Sequence, residues 1–517
     1  MHVRKRLDTN QAAAYKCGME KSSANASAPL DSEACYRALT ARDTRFDGVF
    51  FTGVKSTGIY CRPVCTVKTP RASSCTFFPN AALAEAAGYR PCLRCRPELA
   101  PYALQQNLAY AVWQRIAAGA LNGGDLEGLA AQVGLSSRQL RRVLLQHFGV
   151  TPVELAQTQR LLFAKKLLQE TDLPMTELAF AAGFGSLRRF YALFDQRYGM
   201  APTAVRRQAK KEAKSGDALV LRLAYRPPFD WGEMLRYLAG RAIPGVEAVL
   251  ADEAAYARSV RIGDAEGWLR VRHLGAKMQL ELEVAPQLAP HLMFLLSQVR
   301  TQFDLDANPA AIEAHLMHDP LLAAQLKIAP GLRVPGTFSV FELAVRAVLG
   351  QQVSVAGATT LSGRLVQRFG AAHGTPIAAV THHFPLPEVL ATASCADIAQ
   401  IGMPASRAGT IVNLAQFAAA GGMNLNPACN LQQAVEQLKS VRGIGEWTAQ
   451  YIALRALRFP DAFPAGDLGL QKAAADTAAP NGRLTEKQLL ARAADWSPWR
   501  GYAALLLWNS LSNKVAA

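Results

Sequence analysis

Hydrophobic positions change period along the chain. From 104 to 210 apolar residues recur at helical spacing in short Ala-rich runs. Past Gly216 they sit in strand-like segments, predicted as Ala218 to Ala224, Tyr256 to Ile262, Trp268 to Leu274 and Met278 to Val284, with His273-Leu274-Gly275-Ala276 as a hairpin turn. From about residue 290 the helical period returns, broken by Pro and Gly loops. Nearer the start, Phe50-Phe51-Thr52-Gly53-Val54 and Cys75-Thr76-Phe77-Phe78 read as short strands, and residues 1–30 are small and polar enough to predict a loose tail. A chain of 517 residues is too long for one core, so three or four domains are expected.

The region 104–210 contains an internal repeat. Leu129 to Arg142, followed by His147-Phe148-Gly149-Val150-Thr151-Pro152, is echoed about fifty residues later by Leu178 to Phe190 and Tyr198-Gly199-Met200-Ala201-Pro202. Each copy reads as a short helix, a Gly turn, a capping Ser and a second helix, which is a helix-turn-helix unit. Both carry paired arginines, Arg141-Arg142 and Arg188-Arg189, expected at the same place near the start of the second helix, where they would contact DNA. A plain helical bundle explains the periodicity equally well, but not those pairs. Charge points the same way: residues 1–215 hold 30 basic and 16 acidic side chains, whereas residues 216–517 hold 26 and 24. An excess confined to the front is the footprint of a polyanion binder. The repeat resembles the DNA-binding domain of the AraC family of transcription activators.

Four cysteines stand in a basic stretch as Cys61-x3-Cys65 and Cys92-x2-Cys95. Two close pairs in loop sequence satisfy the tetrahedral, soft-ligand demand of one Zn²⁺. Cys75 lies outside that spacing and reads as a core thiol. Nine cysteines, an odd number, suit a reducing compartment better than a disulfide framework. Thr57-Gly58-Ile59-Tyr60-Cys61-Arg62-Pro63 and Gly88-Tyr89-Arg90-Pro91-Cys92 resemble the N-terminal domain of the Ada adaptive-response protein. That resemblance implies that Cys61 accepts a methyl group from a DNA methyl phosphotriester; spacing alone favours a structural zinc site with Cys61 inert. The Pro-Cys-His-Arg loop of the Ada O6-methylguanine transferase has no match at Cys395 or Cys429, so that activity is expected to be absent.

In the last third, Leu438 to Ala449 reads as a helix, a Gly443-Ile444-Gly445 hairpin and a second helix, whose backbone N–H groups can cradle a phosphate. Trp447 and Tyr451 follow one turn apart, and Asp467 stands in Phe463-Pro464-Ala465-Gly466-Asp467-Leu468. Taken alone, an Asp after Gly is usually a helix N-cap. Together with Pro227-Pro228-Phe229-Asp230-Trp231, Ala347 to Val355 and Trp496 to Tyr502, this constellation resembles the AlkA-type helix-hairpin-helix DNA glycosylases over residues 218–517. The resemblance implies that Asp467 is catalytic, that Trp447, Tyr451 and Trp499 form a pocket for a flipped cationic base, and that Gln352 takes the place of a leucine wedge. Trp447 occupies the position of the Schiff-base lysine of bifunctional relatives, implying hydrolysis without strand cleavage. Cys395 and Cys429 alone cannot hold the iron-sulfur cluster found in some relatives.

The expected fold class is multidomain: a flexible tail (1–30), a small α+β four-cysteine zinc domain (31–102), an all-α double helix-turn-helix domain (103–212), an α+β layer (218–300) and an all-α helix-hairpin-helix domain (301–517). The expected function is a bacterial alkylation-repair glycosylase of the 3-methyladenine type joined to a methylation-responsive activator. Its partners would be double-stranded DNA and RNA polymerase. One rival is an activator whose glycosylase half is degenerate, and a second is a glycosylase whose front half adds only nonspecific affinity. The N-terminus carries no apolar signal core and no run is long enough to span a bilayer, so a cytoplasmic, nucleoid-associated location is expected.

Overall fold

The computed structural model describes residues 31–100, 108–209, 218–424, 429–475 and 482–516. The expected tail 1–30 and residues 210–217 of the expected linker lie outside the described residues.

The N-terminal module opens with the helix Ser32–Ala41, capped by the Asp31 carboxylate. Its sheet has the order β3-β1-β2-β4, with β1 Phe51–Val54, β2 Ile59–Cys61, β3 Cys75–Phe78 and β4 Arg90–Pro91. Pairing of β4 alongside β2, parallel with Tyr60 opposite Pro91, brings the two cysteine loops together at one sheet end. Cys75 is half-buried on β3 rather than in the core.

Both helix-turn-helix units form. The first pairs Leu126–Gln132 with Ser137–Phe148, and the second pairs Met175–Ala181 with Leu187–Tyr198. Ser136 and Ser186 cap the second helices, and Ser136 builds a reciprocal capping box with Gln139. With these caps as register marks, Leu140 and Phe190 correspond, each 0 % exposed. Arg188 then matches Arg138, and Arg141-Arg142 lie three positions further along. The expectation that the two arginine pairs occupy the same place is therefore corrected: caps and buried apolar residues set the register, and adjacent charges do not.

Between the units runs the helix Pro152–Glu170, 19 residues long and buried on nearly every side. Its Lys165 Nζ donates to Glu98 Oε2 at 2.7 Å and to the Cys92 carbonyl at 2.9 Å, tying the helix to the second cysteine loop. Lys166 pairs with Glu170 at 2.8 Å and donates to the Arg222 carbonyl. Such buried cations are tolerated only where partners replace their water.

The second sheet is antiparallel throughout, in the order β5-β9-β8-β7-β6: β5 Leu219–Ala224, β6 Glu247–Leu250, β7 Ala255–Ile262, β8 Ala265–Leu274 and β9 Gln279–Val284. Four of its strands match the periodicity. The edge strand β6 does not announce itself, because four half-buried residues are too few to show alternation. Leu221, Leu269, Val271, Leu280 and Leu282 of this sheet share one continuous core with Leu178, Phe190, Phe194 and Tyr198 of the second helix-turn-helix. A separate core, from Ala307 to Leu507, belongs to the helical C-terminal part.

Candidate active site and metal centre

In the C-terminal part the helix Leu431–Lys439 is closed at its start by an Asn430 and Gln433 capping box, and the turn Val441 to Gly445 leads into the helix Glu446–Arg455. Gly443 has φ +97°, and a Cβ there would meet Thr410 Oγ1 at 2.0 Å, so no other residue fits. Gly445 is different: its backbone is ordinary and the space beside it is open. The fold does not demand that glycine, but a backbone ligand approaching the helix start would. Gln351 braces the hairpin, donating to the Gly443 carbonyl at 3.2 Å and to Thr448 Oγ1 at 3.1 Å.

Trp447 and Tyr451, one turn apart, stack with centroids 5.5 Å apart and planes 9° from parallel. Asp467, the N-cap of the helix Leu468–Ala473, sits at their edge, half-buried. Its Oδ2 accepts from Trp447 Nε1 at 3.1 Å; its Oδ1 accepts from Leu470 N at 2.9 Å and from Trp508 Nε1 at 3.0 Å. Trp508 also meets Tyr451 edge-on at 6.3 Å. The structure thus brings Trp447, Tyr451 and Asp467 together, with Trp508 as the third aromatic of the cluster. Trp499 has its ring contact with Tyr502, at 5.8 Å. Trp508 stands outside every motif, in the final helix, which explains why the sequence does not point to it.

Behind the stack, Arg455 Nη1 donates to Tyr451 OH at 2.6 Å and to Tyr237 OH at 2.8 Å. Burial pushes the Tyr451 phenol up, but Arg455 and Arg241 more than offset it and leave its pKa at about 8. Gln352 lies exposed in the turn before the helix Val355–Phe369, with φ +57°. Six other described non-glycine residues share that left-handed conformation, several of them at ordinary helix caps, so the backbone alone does not single Gln352 out.

In the N-terminal module, the sulfurs of Cys61, Cys65, Cys92 and Cys95 all lie within 4.8 Å of one another. Backbone N–H groups of Arg62 and Arg94 point at Cys95 Sγ (3.3 Å) and Cys92 Sγ (3.4 Å). Four thiols this close cannot all ionise without a cation between them, and a soft four-sulfur donor set is what Zn²⁺ takes. The residues fit the metal. Cys61 is 5 % exposed, whereas Cys95 is the most open of the four. Arg62, next to Cys61, is buried in an ion pair with Asp47. Arg141, Arg142, Arg188 and Arg189 are all exposed on the two recognition helices, as is Arg138. No described helix is long and apolar enough to cross a membrane.

Comparison with known proteins supplies the family. Residues 34–98 match the metal binding domain of Ada, 129–208 a helix-turn-helix domain, 220–339 the AlkA N-terminal domain and 345–498 the HhH-GPD superfamily of base excision DNA repair proteins. "DNA-3-methyladenine glycosylase 2" of Escherichia coli (strain K12) is 35 % identical over 55 % of this chain and 95 % of its own length. "Bifunctional transcriptional activator/DNA repair enzyme Ada" of the same strain is 31 % identical over 43 % of this chain and 59 % of its own. The "Probable bifunctional transcriptional activator/DNA repair enzyme AlkA" of Mycobacterium tuberculosis (strain ATCC 25618 / H37Rv) is 40 % identical over 94 % of this chain and 97 % of its own. Four modules in one order, matched end to end by a single relative, place this chain in the family of bifunctional transcriptional activator/DNA repair enzymes, with a zinc-binding domain, a helix-turn-helix domain and a DNA glycosylase that works on double-stranded DNA.

Proposed function

We propose that this protein reads alkylation damage twice, through methyl phosphotriesters at Cys61 and through alkylated purines at Asp467. The observation that carries the second half is the Asp467 carboxylate, held by two indole N–H groups at the edge of a parallel Trp447 and Tyr451 stack. An alkylated purine is a cation, and electron-rich ring faces attract a cation by about 0.5 to 2 kcal/mol each. Trp447, Tyr451 and Trp508 form such a wall, and the resemblance adds Trp499 to it. Gln352 would fill the gap left in the duplex, while the N–H groups around Gly443 and Gly445 would anchor the backbone. As the glycosidic bond breaks, the sugar becomes positive. The Asp467 carboxylate stabilises that charge and accepts a proton from the attacking water. No lysine stands at position 447, which supports hydrolysis without strand cleavage.

In the front half, Cys61 Sγ attacks the methyl carbon of the phosphotriester. The S–C bond forms, the O–C bond breaks, and the electron pair leaves with the diester anion. Zinc, when bound, keeps the sulfurs as thiolates at neutral pH. Four thiolates on Zn²⁺ sum to about −2, which ordinary phosphodiesters repel and a neutral triester does not. Methylation lowers that charge, favours closer DNA contact by the four arginines, and leads to transcription activation through RNA polymerase. Incubation with methylated duplex DNA, with protein mass and released bases followed together, tests the whole reading. One added methyl mapped to Cys61, with release of 3-methyladenine, is expected. A methyl on the more exposed Cys95, or none, overturns the acceptor assignment. Absence of base release favours the degenerate-glycosylase rival.

A further inference from the structure

A second set of metal-ligating side chains shares no residue with either centre. Glu266 is the second residue of β8, just after the β7 to β8 turn, in register with Arg261. His373 and His383 come from a hairpin-like segment of the C-terminal part, closed by the Ala372 to His382 bridge and by His373 N to Thr381 O and His383 N to Ala371 O, each 2.8 Å. This segment is pinned to the second sheet, where Ser259 Oγ donates to the His382 carbonyl at 2.7 Å and Thr381 N to the Gly245 carbonyl at 2.8 Å.

The three side chains converge. His373 Nδ1 lies 3.7 Å and His383 Nε2 3.6 Å from the same oxygen, Glu266 Oε2, and the rings face each other with centroids 4.2 Å apart. These separations are too long for hydrogen bonds. They are close to the edge of a tetrahedron with metal–ligand bonds of about 2.0 to 2.1 Å, roughly 3.3 Å. His383 is 3 % exposed, and its Nε2, the ring nitrogen that faces Glu266, is buried without a hydrogen-bond partner. Two imidazole nitrogens and a carboxylate oxygen thus stand around one point, and the His383 nitrogen among them is buried and otherwise unsatisfied, a demand that a shared metal ion would meet. The other carboxylate oxygen, Oε1, is engaged by Arg261 at 2.7 Å, which fixes the carboxylate and leaves Oε2 aimed at the rings.

We propose that Glu266, His373 and His383 bind a second divalent transition-metal ion, Zn²⁺ by donor set, with water completing the shell. Two imidazoles and one carboxylate suit borderline ions over Mg²⁺ or Ca²⁺, which take oxygen ligands. Glu266 lies in the segment matching the AlkA N-terminal domain, and both histidines lie in the segment matching the HhH-GPD superfamily. The ion would therefore clamp the sheet to the helical part. None of the residues assigned to the base pocket takes part in it, so the role is structural.

The test uses the full-length protein, passed over a chelating resin and titrated with Zn²⁺, then with Co²⁺ as a spectroscopic probe. Two zinc equivalents per chain are expected in the parent and one in His373→Ala/His383→Gln. Glu266→Gln should weaken the second equivalent at least tenfold. Because Glu266 is exposed, this variant keeps the fold even if the double variant does not. In the cobalt form, one equivalent should show intense thiolate charge transfer, and the other only weak d–d bands that disappear in the variants. A single equivalent in the parent, or a second that survives Glu266→Gln with unchanged affinity, overturns the site. Circular dichroism and base release, both expected to be unchanged in Glu266→Gln, guard against reading a misfolded chain as metal loss.

Discussion

At Asp467 the helix-cap reading and the catalytic reading meet in one carboxylate: Oδ1 caps the helix Leu468–Ala473, while Oδ2 faces the stacked rings. Asn also caps helices well. Asp467→Asn should therefore fold and bind lesion DNA nearly as the parent does, yet release 3-methyladenine about 10² to 10³ times more slowly in single turnover. Release near the parental rate would end the catalytic assignment. Tyr451 offers a second test. With its pKa brought from the ordinary value near 10 to about 8, the ring gains negative charge as pH rises from 7 to 9 and should hold a cationic base more tightly. Lesion affinity is expected to climb over that window in the parent and to stay flat in Tyr451→Phe; parallel curves would remove the phenol from recognition. Residues on short motifs are legible in the sequence, since the Trp447 and Tyr451 spacing and the Asp467 loop are local. Trp508 is not, because its place at Asp467 depends on the final helix folding back across 41 residues.

The helix-turn-helix elements are legible from their Gly turns and Ser caps, while the arginine register needs the buried Leu140 and Phe190 to fix it. If the exposed arginines neutralise phosphates, replacing Arg141, Arg142, Arg188 and Arg189 with Ala should reduce the salt slope of DNA binding by about one for each phosphate left without its arginine. A slope equal to the parent's would detach these residues from the interface. The helix Ala81–Ala86 carries an element-scale device of its own. Its Glu85, 3 % exposed, accepts from Tyr60 OH and Thr158 Oγ1 at 3.0 Å each and pairs with Arg197 of the second recognition helix at 3.2 Å. Burial raises its pKa to about 7, against the pull of Arg197. A carboxyl raised on folding contributes stability that is fully present below its unfolded value near 4.5 and lost as pH rises through 7. Thermal midpoints should fall from pH 5 to pH 8 in the parent and fall less in Glu85→Gln. An identical fall in both would show that Glu85 is not the titrating group.

Across the whole molecule, composition foretells separate modules, but the front and back halves do not part cleanly at residues 210–217. The sheet of the repair half shares one continuous core with Leu178, Phe190 and Phe194, and Arg226 reaches from that half to the Asp47 carbonyl at 2.9 Å. Sequence period reports which residues are apolar, not which neighbour covers them. A fragment starting at residue 218 should therefore melt lower than the same half within the full chain and bind a hydrophobic dye, as scanning calorimetry and dye fluorescence would register. Equal melting would mean that the shared core contributes nothing.

The helix Pro152–Glu170 sets a distance as well as a core. Its 19 residues span about 28 Å, and its buried lysines fasten it to the second cysteine loop and to the start of the second sheet. One turn of duplex is about 34 Å. If this rod holds the two recognition helices at a fixed separation, the protein should act as a gauge of helical phase, seating both readers on one side of the DNA at one spacing. Inserting five base pairs between the two contacted segments of an operator should turn one of them to the far side and abolish simultaneous engagement, whereas inserting ten restores the face but exceeds the reach of the rod.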